Sequence, residues 1–434
     1  MYTLKWLIKQ NVPVVCEKGL GTWSLRSDAW LAGSFEKLTL NSTIRHYFHV
    51  DVGLEKKHVV FHRVPFWNGV EYAVEVFGEG VRFGLLYYDS RGSWGIVPSG
   101  ALASILVGLG ANSVEIKENP LRRLKNKRLV LGEHVCVNRD YLLINVGEYV
   151  GVAKVGNTER CVIKVKDLAP RGFKVLGEPL PGDLVNYNKD IVERVASEAR
   201  LFIKRVYEKY VAPNKVHVSF SGGADSTAVL LLAVEELGPE RVVAVYSDTG
   251  LEYPETAKYV EEIASKLGIE LIVLKPRVNP LEEIRRRGLM SVKNRWCTRL
   301  LKLEPLKEYY YSRGVKLYLD GARNYESTLR AKTPRLSENP TLPSVHRALP
   351  IKTWPRILVQ LYLASRGVSQ NPLYDRGLTR IGCVVCPAMH RYELRLSYEM
   401  CSDVHGEVLR ASRLSLEEYL SMKWSGKRIF SGEV

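Results

Sequence analysis

An apolar stretch ends at Ser219, and an apolar, helix-like run begins near Ser226. Between them lies Ser219-Phe220-Ser221-Gly222-Gly223-Ala224-Asp225-Ser226. Two adjacent glycines let the backbone turn tightly and bring its N–H groups against an anion, and the N-terminus of the following helix adds its positive dipole end. Ser221 and Ser226 offer hydroxyl hydrogen bonds to phosphate oxygens. Asp225 is out of place beside phosphate unless it holds a magnesium ion or caps the helix. The spacing is not that of the G-x-x-x-x-G-K-S/T loop, so any phosphate held here rests on amides and hydroxyls. The plainer reading is an ordinary strand-to-helix turn.

The seven cysteines are Cys16, Cys136, Cys161, Cys297, Cys383, Cys386 and Cys401. The count is odd, which argues against a disulfide framework. Cys16, Cys136 and Cys161 stand in strand-like contexts and read as small buried hydrophobes. Cys383-Val384-Val385-Cys386 is a two-cysteine knuckle able to aim both thiolates at one metal.

The six residues from Ser221 to Ser226 fit the S-G-G-x-D-S signature and resemble the ATP pyrophosphatases, in which this loop grips the pyrophosphate released on adenylation. Four further motifs follow in order: DTGLEYPET after the second strand, WCTRLLKLEPL, GARNYESTLRA, and NPLYDRGLTRIGCVVCP. Together they resemble the PAPS reductase family of the adenine-nucleotide hydrolase superfamily, from about Lys215 to Pro387.

The resemblance implies a parallel sheet with an adenine nucleotide, ATP with Mg²⁺, in its cleft. It assigns nucleotide contacts to Ser219, Ser221, Gly222, Gly223, Asp225, Ser226, Asp248, Arg323, Glu326 and Arg330. Chemistry is expected of Asp225, Ser226, Arg299 and Lys302, and Arg380 directly precedes the C-x-x-C. Cys297 falls in the motif that faces the knuckle. Iron–sulfur members carry a tandem pair there, where this chain has Trp296-Cys297. Three thiolates would hold a 4Fe–4S cluster with one open iron. With Cys401 or His390 as a fourth ligand the set would hold zinc, and three reduced thiols with no metal are the remaining option.

Two departures bear on the reaction. The sulfonucleotide reductases use a cysteine near the extreme C-terminus, and none follows Cys401 here. The loop also keeps the complete signature suited to ATP. Both favour adenylation over sulfonucleotide reduction.

These residues need a scaffold. KVHVSF, RVVAVYSD and IELIVLKP read as strands, and the runs from Asp225 and Pro254 between them as helices. Such alternation predicts a parallel sheet with crossover helices, in which Asp248 stands at a strand's carboxyl end. The fold class expected is α/β: a doubly wound PP-loop domain over 185–434, preceded by a small β-barrel over 89–170 and an α+β region over 1–88 whose role is not legible. The segment VLGEHVCVNRDYLLINVGEYVGVAKV resembles the PUA domain of RNA-modifying enzymes. Just before it, Pro120 to Arg128 holds five basic residues, a phosphate-contacting patch or a solvated turn. Residues 169–184 are rich in Pro and Gly and read as a linker.

The whole chain has 434 residues, enough for two or three domains, and a formal net charge of +16. That excess asks for an anionic partner, and nucleic acid fits best, although a generally basic surface would give the same total. No apolar run is long enough to span a membrane and the first residues carry no cleavage signal, so a cytoplasmic protein is expected. Three functions follow. The first is an enzyme that adenylates a base of RNA, tRNA above all, for sulfur transfer, with a sulfur donor protein as further partner. The second is a sulfonucleotide reductase borrowing a thiol from a partner. The third is a nucleotide- and RNA-binding module without catalysis.

Overall fold

The computed structural model describes residues 1–65, 67–68, 70–117, 126–131, 136 and 140–422. They form two compact units, Met1–Asn188 and Lys189–Val434.

Among the described residues the first unit holds three sheets. Strands β1 (Tyr2–Leu7), β2 (Val12–Glu17) and β3 (Trp23–Ser24) make a small antiparallel one in the order β2-β1-β3. Strand β4 (Ala29–Leu31) leads to helix α1 (Ser34–Phe48), and then β5 (Val59–Arg63), β6 (Tyr72–Gly78), β7 (Val81–Tyr88) and β8 (Trp94–Pro98) complete a meander with β4 at its edge. Helix α2 (Gly100–Gly108) starts at Ser99, whose hydroxyl accepts the Leu102 N–H. Strands β9 (Val114–Glu115), β10 (Arg128–Val130), β11 (Tyr141–Val146), β12 (Tyr149–Asn157) and β13 (Val162–Pro170) form a third sheet, ordered β10-β13-β12-β11-β9.

The strands expected to close a barrel build this third sheet, and among the described residues its end strands β9 and β10 do not pair with each other. Its core contains Cys136 and Cys161, both fully buried and joined in a disulfide. Their burial agrees with the sequence reading, but their pairing corrects it. The odd cysteine count concealed one intramolecular pair. Of the basic patch, 120–125 lies outside the described residues.

The linker expectation meets a segment, 171–182, without helix or strand. It is nonetheless fastened down. Gly172 and Phe173 donate to the Ser104 hydroxyl at 3.1 and 3.3 Å, and Asn11 donates to the Gly177 carbonyl at 2.9 Å. The Leu176 N–H bonds the Glu79 carboxylate, and its carbonyl accepts from Lys57 at 3.0 Å. Lys57 and Glu79, 7% and 0% exposed, pair at 3.1 Å.

Helix α3 (Asp183–Tyr210) carries the boundary between the units. The second unit is the expected α/β fold. It runs β14 (Val216–Ser219), α4 (Ala224–Leu237), β15 (Val242–Ser247), α5 (Pro254–Leu267), β16 (Glu270–Leu274), α6 (Pro280–Arg287), a π-helix (Thr298–Leu303), α7 (Glu304–Ser312), β17 (Leu317–Leu319), α8 (Thr328–Lys332), β18 (Leu336–Asn339), β19 (Leu342–Ala348), α9 (Arg356–Ser365), α10 (Arg391–Met400), α11 (Ser402–Ser412) and α12 (Leu416–Met422).

The sheet order is β16-β15-β14-β17-β19-β18, parallel except for the β18–β19 hairpin. Strands buried on both faces read as continuous apolar runs, which is why Val242 to Tyr246 was legible as a strand. The chain reverses its winding at β14, between β15 and β17. Ligands of such sheets lie in the crevice that this reversal opens at the strands' carboxyl ends.

Candidate nucleotide site

The loop after β14 occupies that crevice. Phe220 is buried and its N–H bonds the Val245 carbonyl at 2.9 Å, fixing the loop's exit. Gly222 has φ +72°, and a Cβ there would stand 3.0 Å from Thr256 and 3.1 Å from Val260. The positive φ favours glycine here, and a side chain would in addition press on Thr256 and Val260. Asn371 secures this turn by donating to the Gly222 carbonyl at 3.3 Å and to Thr256 Oγ1 at 3.2 Å.

Gly223 opens α4, and its carbonyl accepts from Ser226 Oγ and Thr227 Oγ1 at 2.9 and 3.0 Å. The amides around it meet hydroxyls: Ser221 N–H bonds Ser226 Oγ, Gly223 N–H bonds Ser221 Oγ, and Ala224 N–H bonds Tyr374 Oη, at 3.2, 3.4 and 3.1 Å. Successive amides at a helix N-terminus are an arrangement able to cradle an anion, and here hydroxyls stand against three of them.

Asp225 lines the cavity beside this cradle and pairs with Arg323 at 2.9 Å. Arg323 is buried, 3% exposed, and its Nη1 donates to the Trp354 carbonyl at 3.1 Å. The backbone approaches closely here, since a Cβ on Gly321 would lie 2.8 Å from the Asp225 carbonyl carbon. The loop carboxylate thus fastens the start of α4 to the segment after β17.

The cavity measures about 440 Å³ and is walled by the ends of β14, β15 and β17. On one side the π-helix presents Thr298, Lys302 and Leu303. A wider turn brings residues four and five apart onto one face, as often occurs at functional sites. Lys302 pairs with Glu252 at 3.8 Å, and Glu252 accepts the Thr249 hydroxyl at 2.7 Å. Burial raises the Glu252 carboxyl pKa, against the pull of Lys302. For Lys302, burial pulls the ammonium down, and Glu252 with the nearby Cys383 and Cys386 outweighs it, so its pKa rises. Arg380 lines the cavity, as do Glu326 and Arg330, which pair with each other.

Of the residues expected here, Ser219, Ser221, Gly223, Asp225, Ser226, Lys302, Glu326 and Arg330 line one cavity. Gly222 sits behind the loop, and Arg323 is a buried partner of Asp225 rather than a wall residue. Asp248 turns its carboxylate to the Gly250 N–H at 2.9 Å, and Arg299 points to Glu304 at 3.6 Å with its side chain 64% exposed. Neither lines the cavity. Glu252, Tyr374 and Asn371 were not anticipated. Only the motif context hinted at them: Glu252 and Asn371 stand inside quoted stretches without an obvious chemical pattern.

The cysteines are tested by their surroundings. Cys383 is hydrogen-bonded to Cys386 and buried, which holds its thiol well above the ordinary value. Cys297 is raised by burial, and Cys386 adds to the shift. Cys401 caps the end of α10 and is raised by burial, with Glu255 adding to it. Among the described residues, no three His, Cys, Asp or Glu side chains converge closely enough to hold a metal ion. Cys297, Cys383 and Cys386 are neighbours, but the ligand set expected for a 4Fe–4S cluster or for zinc, with Cys401 or His390, is not assembled in this arrangement.

A doubly wound parallel sheet with an S-G-G-x-D-S loop at its switch point is the arrangement of nucleotide-binding proteins of the PP-loop type. The chain belongs to the family marked by the phosphoadenosine phosphosulfate reductase domain, which it matches over residues 215–389. It is 31% identical over 416 residues to an uncharacterized protein of Methanocaldococcus jannaschii, covering 93% of this chain and 96% of that one. With the phosphoadenosine 5'-phosphosulfate reductase of Yersinia enterocolitica it shares 28% identity over 174 residues, 39% of this chain and 69% of the relative. Among solved structures, the phosphoadenylyl-sulfate reductase of Candida auris aligns with 45% of this chain and 95% of its own, at 20% identity and TM-score 0.36. Among the described residues no helix is long and apolar enough to cross a membrane.

Proposed function

We propose that the second unit binds MgATP and transfers its adenylyl group to an RNA base, tRNA being the preferred acceptor. The observation that carries this reading is the complete loop, with Ser221, Gly223 and Ser226 facing the same cavity as Lys302, Arg330 and Arg380. The cradle would take the β- and γ-phosphates. The cationic side chains would stabilise charge developing on the α-phosphate, and fixed donors aimed at developing charge are the main source of such catalysis.

In the first step a carbonyl oxygen of the base attacks the α-phosphorus. The bond to the bridging oxygen breaks, and pyrophosphate leaves with that electron pair. In the second, a sulfide-level sulfur or another nucleophile attacks the activated carbon, and AMP departs with the C–O electrons. A sulfur donor protein would supply the nucleophile.

The similarity to phosphoadenosine 5'-phosphosulfate reductases favours one second reading, reductive release of sulfite from a sulfonucleotide. One assay separates the two. The full chain is incubated with MgATP, with and without bulk tRNA, and AMP and pyrophosphate are counted. Parallel reactions offer a sulfonucleotide with dithiol and count sulfite. The adenylation reading expects RNA-stimulated AMP release that falls at least 100-fold in Lys302→Ala. Sulfite release without RNA-dependent AMP would replace it with the reductase reading.

A further inference from the structure

The first unit contains a cavity of its own, about 690 Å³, within the roughly 300–1,000 Å³ range of pockets that bury small molecules. It opens beside β5, β7, β8 and β13, and Arg26, Arg63, Arg82 and Lys166 line it together with Trp67.

The charges are not equivalent. Glu75 is engaged by Arg82 at 2.9 Å and by His62 at 3.2 Å. His62 Nε2 accepts the Ser27 N–H at 3.2 Å, so its proton sits on Nδ1, which donates to Glu75. Asp167 accepts the Gly100 N–H at 2.9 Å. Arg26, Arg63 and Lys166 form no ion pair among the described residues. Among the described residues four cations, Arg26, Arg63, Arg82 and Lys166, and two carboxylates, Glu75 and Asp167, line this hollow together with Leu85 and Val97, which leaves its wall net positive. Trp67 stands at its edge with its ring supported by Tyr87, 4.8 Å between centroids.

An excess of cations over carboxylates, beside an aromatic ring and the apolar Leu85 and Val97, suits a ligand that is both anionic and planar. We propose that this cavity binds a nucleotide presented by single-stranded RNA, with phosphates on Arg26, Arg63 and Lys166 and the base on Trp67. Base–aromatic stacking along a cationic groove is how single strands are held without sequence readout. The assignment builds on the proposal that RNA is the acceptor, and gives the first unit a part in holding it.

The test measures fluorescence anisotropy of a labelled single-stranded RNA, about 12 nucleotides long, titrated with the full chain at several salt concentrations. The triple variant Arg26→Ala/Arg63→Ala/Lys166→Ala is expected to bind at least 10-fold more weakly. Its log–log salt slope should be shallower by about 2, since each phosphate contact on a single strand contributes about 0.7. Trp67→Ala is expected to lose at least 5-fold and Trp67→Phe to keep most of the affinity. Unchanged binding in both the triple variant and Trp67→Ala overturns the proposal. So does a loss confined to the triple variant and matched by inorganic polyphosphate, which would make the cavity a general anion site. Competition by AMP at equal strength per nucleotide would support the site with a free nucleotide as its ligand.

Should the triple variant fail to fold, photocrosslinking of the wild-type chain to 4-thiouridine RNA decides. Crosslinks on the peptides carrying Arg63 and Trp67 support the site, and crosslinks confined elsewhere overturn it. RNA binding that depends on these residues without RNA-stimulated AMP release would leave this site standing and remove the adenylation reading. RNA-stimulated AMP release with unchanged binding in the variants would do the reverse.

Discussion

The Asp225 carboxylate borders a cradle suited to phosphate, and Arg323 at 2.9 Å determines what it contributes there. Removing the guanidinium leaves a partly buried carboxylate beside an anion site. Arg323→Ala should therefore lower stability by about 2–3 kcal/mol, somewhat less than the loss of one partner from a fully buried pair. It should also weaken pyrophosphate binding, because the uncompensated charge now repels the ligand. Arg323→Lys keeps the charge and loses the fork that also reaches the Trp354 carbonyl, so it should fall between the two. Denaturant unfolding and calorimetric titration with pyrophosphate measure both effects. Equal affinity in wild type and Arg323→Ala would show that Asp225 does not face the bound anion. This pairing was hidden in the sequence, where Arg323 reads as one more basic residue available to a nucleotide. The two residues lie 98 positions apart, and only the return of β17 beside β14 brings them together.

Strand β14 positions the loop at one end and places His217 within the sheet, where burial pulls its pKa down to about 4, with Arg313 and Lys215 adding to the effect. His58 in the first unit is lowered to about 4 as well, mainly by burial. The unfolded chain takes up these protons near pH 6.5 and the folded chain does not. Stability should be level above about pH 6.5, then fall as pH drops toward 4, by about 3 kcal/mol for each histidine. Unfolding curves across that range should flatten in His217→Gln, and an unaltered slope would remove His217 as a source.

The elements themselves were legible because strands buried on two faces and amphipathic crossover helices leave opposite periodicities. The loop was legible because two glycines between such elements have few other uses. The π-helix was not, since TRLLKL offers the same apolar spacing to an ordinary helix. Tyr374 and Asn371 escaped notice because a hydroxyl and an amide holding loop atoms about 150 residues away leave no local pattern.

At the scale of the molecule, the Cys136–Cys161 bridge spans 25 residues in a sheet with a modest core. A loop of that size makes the bridge worth about 3 kcal/mol. Unfolding of the full chain with and without reductant, and of Cys136→Ala/Cys161→Ala, should show an early transition displaced by that amount, and coincident curves would mean that the bridge is not formed. The bridge eluded sequence reading because both cysteines stand in turns rather than in the strands their contexts suggested, Cys136 before β11 and Cys161 between β12 and β13, and only the return of the sheet brings the two turns together.

The segment 171–182 has the composition of a tether, and its bonds give it another property. It lies over Lys57 and Glu79, two charges almost withdrawn from water, and bonds to both through Leu176. Peeling it away would flood that ion pair as well as break the bonds, so detachment and local hydration happen as one event. The stretch should therefore behave as a latch with a threshold, closed until the unit beneath it begins to open.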